Sequence, residues 1–195
     1  DERVDWHRSD AANLPLSDDT LDGALCHQGL QFFPEQPDVL AEIARALRPG
    51  GRLAVAVWGR LEENPWPAAL ADATSAILGD EAAGGMTTVC ALGDRSRLVE
   101  LLHAAGFEQV SAETRRRTAT HPDVRAAVTS QLEALPSGSI TGELDDDQRM
   151  RLVAAMTACL APHTDPNGRL RLQSTSILAT AIVPSGTRSA GAVRV

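Results

Sequence analysis

The 195-residue chain contains no Lys and no Tyr, so all 18 of its basic residues are Arg. Aromatic residues are scarce, three Trp and three Phe, and the lack of Tyr removes one common proton donor for catalysis. Cysteine is sparse too. Cys26, Cys90 and Cys159 lie far apart, with no Cys-x-x-Cys and no His at metal-ligand spacing, which argues against a zinc site or a disulfide scaffold and fits a reducing cytoplasm. No apolar run approaches the roughly 18 residues of a membrane span. Asp1-Glu-Arg-Val-Asp-Trp has no basic region leading into an apolar one, so no signal peptide is read there. The chain does not begin with Met, which suggests a processed or truncated product. Nowhere does Gly-x-Gly-x-Gly occur.

What remains is ordinary for one folded domain: 43% hydrophobic and 23% charged residues, enough to bury a core without staples. A net charge of -8 and a pI near 5.1 disfavour a phosphate-backbone partner.

Val4 to Ser9 reads as a short strand ending at Asp10, and Asn13 to Thr20 is rich in turn formers. Leu21 to Cys26 is a second strand, apolar on both sides as parallel strands covered by helices are. Pro37 opens a helix with Val39, Leu40, Ile43 and Leu47 on one face. Pro49-Gly50-Gly51 reverses the chain after it, and Leu53 to Trp58 is a third strand. Asn64-Pro-Trp-Pro begins a helix carrying Trp66, Leu70, Ala73 and Ile77 on one side, followed by a loop from Gly79 to Gly93. Asp94 then caps a helix that Gly106 closes, and Val110 to Thr120 alternates as a strand. Helices over Pro122 to Leu135 and Asp145 to Leu160, a strand over Ser174 to Val183 and a small-residue tail, 184–195, complete the chain. Alternation of strand and helix predicts an α/β layer fold with a largely parallel sheet.

In such a sheet ligands bind at the carboxyl ends of the strands. Those ends are Asp10-Ala11, Cys26-His27-Gln28 and Trp58-Gly59. The Asp10 carboxylate can accept an adenine exocyclic N–H while the backbone N–H of Ala11 or Ala12 donates to the ring, a pattern that selects adenine over guanine. Alternatively, Asp10 only caps a turn. The carbonyls of Cys26, His27 and Gln28 can hold a cationic amine, and His27 is a candidate general base or simply a packed strand-end residue. Phe32 and Phe33 read as core. Arg115, Arg116 and Arg117 alternate between strand faces, so two of the three should meet solvent.

The order and spacing of three segments carry a resemblance. These are Asp-Ala-x-x-Leu-Pro-Leu-x-Asp-x-x-Leu-Asp over Asp10 to Asp22, Gln-Gly-Leu-Gln-Phe-Phe-Pro from Gln28, and Glu-Ile-Ala-Arg-Ala-Leu-Arg-Pro-Gly-Gly-Arg-Leu from Glu42. Together with Ala104-Ala-Gly-Phe they resemble the class I S-adenosylmethionine-dependent methyltransferases, in particular the group that includes ubiquinone and menaquinone biosynthesis enzymes. The resemblance implies a Rossmann-like, doubly wound α/β fold with a mostly parallel sheet whose last strand is antiparallel. It implies S-adenosylmethionine as cofactor, with Asp10, Ala11 and Ala12 at the adenine and Cys26, His27 and Gln28 beside the methionine moiety. Residues 1–183 would form a partial methyltransferase domain in which segments of about 61–92 and 120–170 shape the pocket for a small-molecule acceptor. The family's glycine-rich loop and the acidic residue for the ribose hydroxyls would precede Asp10, so two strand–helix units, roughly 60 residues, are missing by comparison. The expected function is therefore methyl transfer to a small molecule, this chain being the C-terminal two-thirds of the enzyme. A non-catalytic scaffold or partner subunit on the same fold is the alternative. A nicotinamide-dependent reductase is a weaker one, without its glycine fingerprint or a Tyr.

Overall fold

The computed structural model describes residues 4–134 and 144–186, and the chain divides into two compact units. The first comprises Asp1–Val57, Arg95–Glu113 and Leu178–Val195, and the second Trp58–Asp94 and Thr114–Ile177. In chain order the elements are β1 (Leu21–His27), α1 (Gln36–Ala46), β2 (Leu47–Trp58), α2 (Pro65–Leu78), α3 (Asp80–Thr87), α4 (Arg95–Ala104), β3 (Glu108–His121), α5 (Val124–Glu133), α6 (Asp146–Leu160) and β4 (Leu170–Ile182). The expected helix end at Leu135 and residues 187–195 of the expected tail lie outside the described residues.

The sheet has the order β1-β2-β4-β3. β1 and β2 are parallel, with Ala24 opposite Leu53 and Cys26 opposite Val55, and α1 makes the crossover between them. β4 runs the other way, its Thr180–Ile182 stretch flanking Arg52–Ala54 and its Leu178–Thr180 stretch flanking Ala54–Ala56. The α/β class expected from sequence is what forms, as a mixed four-stranded sheet in which β1 and β2 are parallel and the last strand, β4, is antiparallel to β2. α1 and α4 pack together in this unit, where Leu40, Leu47, Leu53, Leu98, Leu102 and Phe107 are buried. One sheet face stays open to solvent. Ala179 and Ala181 are buried, whereas Leu178 and Thr180, which alternate with them, are exposed, and Leu25 on β1 is 86% exposed. The expectation of a β1 buried on both sides is therefore corrected, because among the described residues no helix covers that face.

Three further expectations change. Residues 4–9 form no strand: with no neighbouring strand to pair with, Val4 and Trp6 are exposed and the only bridge nearby is Asp10 with Asn13. Pro49-Gly50-Gly51 does not separate helix from strand but lies within β2. Leu21 pairs with Leu47 and Gly23 with Arg52, so two steps on β1 face five on β2, a bulge that Gly50 permits at φ 79. A Cβ on Gly51 would stand 2.8 Å from the Arg48 carbonyl oxygen, which requires glycine there. The loop expected over Gly79 to Gly93 contains α3, for Gly84 and Gly85 face open space and leave the helix unobstructed.

In the second unit α2, α5 and α6 bury Leu70, Ala73, Val128, Leu132, Leu152, Met156 and Leu160 with Leu170 and Leu172 of β4, and Trp66 packs against this cluster. Asp145 and Gln148 close a capping box at the start of α6, and Asp123 caps α5 by accepting from Ala126 N at 2.7 Å. The segments 61–92 and 120–170 expected to shape the acceptor pocket fall in this unit, except for residues 135–143, which lie outside the described residues.

Candidate functional site

β1 ends in a tight corner. Gln28 takes φ 55, a left-handed conformation uncommon for a residue with a side chain, while its N–H still donates to the Ala56 carbonyl at 2.8 Å. Gly29 returns to right-handed φ -117, and a single 3₁₀ turn follows over Leu30–Phe32. Left-handed then right-handed residues turn successive N–H groups to one side. Here the Gly29 and Leu30 N–H groups both bond the Cys26 sulfur. Burial nonetheless pushes the Cys26 thiol up from its ordinary value, against those two bonds, so at neutral pH it is a protonated structural group rather than a nucleophile. This role of Cys26 was invisible in the sequence, which offers only a lone Cys before a His.

His27 is exposed and, with Cys26, lines a cavity of about 350 Å³ on the open sheet face beside Ala54, Ala56, Ser111, Glu113 and Leu178. A larger depression of about 670 Å³ adjoins it along the amino-terminal half of β1. Its lining, from Gly23 and Leu25 to Gln109 and Ile182, carries one ionisable group, Arg52. His27 and Glu113 both line the smaller one, whose wall is largely apolar.

Asp10 is exposed and its Oδ1 accepts from Ala12 N at 2.9 Å, closing a turn with the Asn13 N to Asp10 O bond of 3.0 Å. The turn-capping alternative is thus realised. It commits the Ala12 N–H and leaves the second carboxylate oxygen and the half-buried Ala11 as the adenine-type pair. Asp10, Ala11 and Ala12 are not among the residues lining the cavity at His27. The path of the chain is informative. Arg45 on α1 bonds Leu16 O at 2.8 Å and Asp18 Oδ1 at 2.5 Å, and Glu42, one turn earlier, accepts from Leu14 N at 2.8 Å. Going from Asp18 back to Leu14 therefore follows α1 by about one turn, and the Asp10–Asn13 turn lies beyond it. The Arg45 guanidinium holds the Glu42 carboxyl below the usual carboxylate range, and the carboxylates raise Arg45 in return.

Phe32 is 57% exposed and Phe33 half-buried, so neither is the core residue expected; the 3₁₀ turn directs Leu30 and Gln31 inward instead. Trp58-Gly59 is held to β4, Gly59 N donating to Thr175 O at 2.7 Å. Arg115, Arg116 and Arg117 are all exposed, and Arg116 pairs with Glu63 at 3.2 Å. Among the described residues no group of His, Cys, Asp and Glu could hold a metal ion, and no helix is long and apolar enough to cross a membrane.

A family model described as a methyltransferase domain matches residues 1–55, the stretch that contains Asp10, β1, its corner and α1. Over residues 1–55 the chain is thus similar to a methyltransferase domain. Among curated relatives of this methyltransferase-like chain, the 2-phytyl-1,4-naphtoquinone methyltransferase of Synechococcus elongatus is 44% identical over 52 residues, 27% of this chain and 22% of that protein. The malonyl-[acyl-carrier protein] O-methyltransferase of Methylococcus capsulatus is 31% identical over 132 residues, 68% of this chain and 44% of that protein. The chain thus spans from about a fifth to under half of the length of these relatives. Among solved structures, a candidate methyltransferase of Bacillus halodurans C-125 superposes with a TM-score of 0.57 at 15% identity, covering 94% of this chain and 79% of that one. At that identity the superposition establishes the shared fold and nothing finer.

Proposed function

We propose that this chain is the downstream part of an S-adenosylmethionine-dependent methyltransferase acting on a small molecule in the cytoplasm. The observation that carries the reading is the corner at the carboxyl end of β1, which lies in the segment matching the methyltransferase domain.

The residues present fit two ends of the cofactor. The free Asp10 oxygen and the Ala11 N–H suit the adenine edge, and the carbonyls at Cys26, His27 and Gln28 suit the amino group of the methionine end. No acidic residue at a described strand end is left for the ribose hydroxyls, so the fit is partial. When bound, the cofactor supplies an electrophilic methyl group. The chain's own work is positioning and exclusion of water. In this reading the His27 ring, which lines the same cavity as Ser111 and Glu113, takes a proton from an acceptor hydroxyl. The segments 61–92 and 120–170 would select the acceptor.

Binding of labelled S-adenosylmethionine tests this, compared between this chain and a form extended upstream in its coding sequence. Little binding by the first and clear binding by the second is expected. In the extended form Asp10→Asn should weaken binding by about 1–2 kcal/mol, the worth of one charge-assisted hydrogen bond. Unchanged affinity would count against the adenine assignment. The alternative of a non-catalytic scaffold is favoured by one observation, the Asp10 oxygen already committed to Ala12 N. Absence of binding by both forms would select it.

A further inference from the structure

Gln31 follows the corner by three residues and is 3% exposed. Its Nε2 donates to Gln28 Oε1 at 3.4 Å, and among the described residues its own Oε1 finds no partner. Burying an amide with one acceptor unmet costs stability that an apolar side chain of the same length would not. Space-filling therefore does not account for a glutamine here. Among the described residues the one hydrogen bond its side chain makes is to Gln28, whose backbone is held in the left-handed region at φ 55 and whose neighbours Cys26 and His27 line the cavity. Strained backbone and an orphaned buried polar group next to a strand's carboxyl end are two independent signs of a corner shaped for something other than stability.

We propose that Gln31 is a positioning residue: its buried amide fixes the orientation of the Gln28 side chain and thereby the shape of the corner at the end of β1. The hydrogen bond sets which way the Gln28 amide faces, with its oxygen towards Gln31 and its NH₂ presented away from it. The purpose of that orientation, a defined surface for the amino-acid end of the cofactor, rests on the proposed methyltransferase reading; the orientation itself does not.

The test uses the ¹⁵N-labelled chain without ligand and the variant Gln31→Met. The expected result is a denaturation midpoint equal to or above that of the parent, since an unmet acceptor is removed. The Gln28 side-chain NH₂ resonances should shift and exchange faster with water. A lowered midpoint would make Gln31 a structural residue, and unaltered Gln28 resonances would remove the coupling; either overturns the proposal. The reciprocal variant Gln28→Met, at a half-exposed position, independently reads the same pair through the Gln31 NH₂. Its resonances should then move and broaden, and unmoved resonances overturn the proposal. Failure of the chain and its extended form to bind S-adenosylmethionine would refute the functional reading but leave these ligand-free outcomes untouched.

Discussion

Asn64 offers the sharpest energetic test of how the second unit is held together. It precedes α2 and is 1% exposed, and its side chain bonds two backbone groups far apart in sequence. Nδ2 donates to the Arg60 carbonyl at 2.8 Å, and Oδ1 accepts from Thr175 N at 2.8 Å, in the fully buried middle of β4. Replacing it by Leu keeps the branching at Cγ, with a larger side chain, and removes both bonds. The Thr175 N–H is then buried without a partner, a penalty of about 1–3 kcal/mol, and the half-buried Arg60 carbonyl loses a bond worth about 1 kcal/mol. The sum, about 2–4 kcal/mol, lowers the thermal midpoint of a domain this size by about 5–15 °C. Urea unfolding followed by tryptophan fluorescence measures it, because Trp66 packs against the core of this unit whereas Trp6 is 90% exposed and changes little. Asn64→Ala should lose as much as Asn64→Leu or slightly more. A loss below about 0.5 kcal/mol in Asn64→Leu, within the range of an ordinary surface substitution, would refute the argument.

Other perturbations have equally definite outcomes. Leu25→Asp should change stability by less than about 0.5 kcal/mol because Leu25 is already exposed, whereas Leu53→Ala, 1% exposed on the other face, should cost about 2–5 kcal/mol in the same urea assay. Burial, with Glu62 adding to it, pushes the Cys90 thiol up to about 11, and burial also raises Cys26. A thiol reagent at pH 8 should therefore modify the exposed Cys159 quickly and the other two slowly, and three equally fast thiols would contradict this. Glu42 has its folded-state pKa depressed by Arg45, so its contribution is full at neutral pH and is lost as pH falls through the folded value, below the ordinary carboxylate range. Glu42→Gln should lower the urea midpoint at pH 7 and make it fall less steeply towards pH 3; parallel profiles would contradict the pairing.

Much of this architecture could be read from residue spacing. α1, α2 and α6 were marked by Pro at an opening turn or acidic first turns and by apolar stripes, and those stripes, with Leu40, Leu70 and Met156, are the buried faces. The second and later strands were legible from continuous or alternating apolar runs. Other features depend on what lies alongside. Val4–Ser9 has the composition of a strand but no partner to complete its hydrogen bonds, and β1 has the composition of a covered strand on a face that no described helix covers. Glycine misled in two opposite ways: Gly50-Gly51 made a bulge inside a strand, and Gly84-Gly85 were absorbed by a helix with nothing to obstruct it. At the candidate site, Asp10 and the Cys26–Gln28 corner were legible from their positions at expected strand ends. The thiol held by two backbone N–H groups and the Gln28–Gln31 contact were not, because both arise from a left-handed backbone at a residue that is not glycine.

The most direct measurement is a titration of the ¹⁵N-labelled chain with S-adenosylmethionine up to millimolar concentration, followed by backbone amide resonances. Weak, fast-exchange shifts concentrated at Ala11 and at Cys26 to Gln28 are expected, with residues of α5 and α6 unmoved. No shifts at those amides, or shifts centred elsewhere, would contradict the claim that the two corners serve one cofactor.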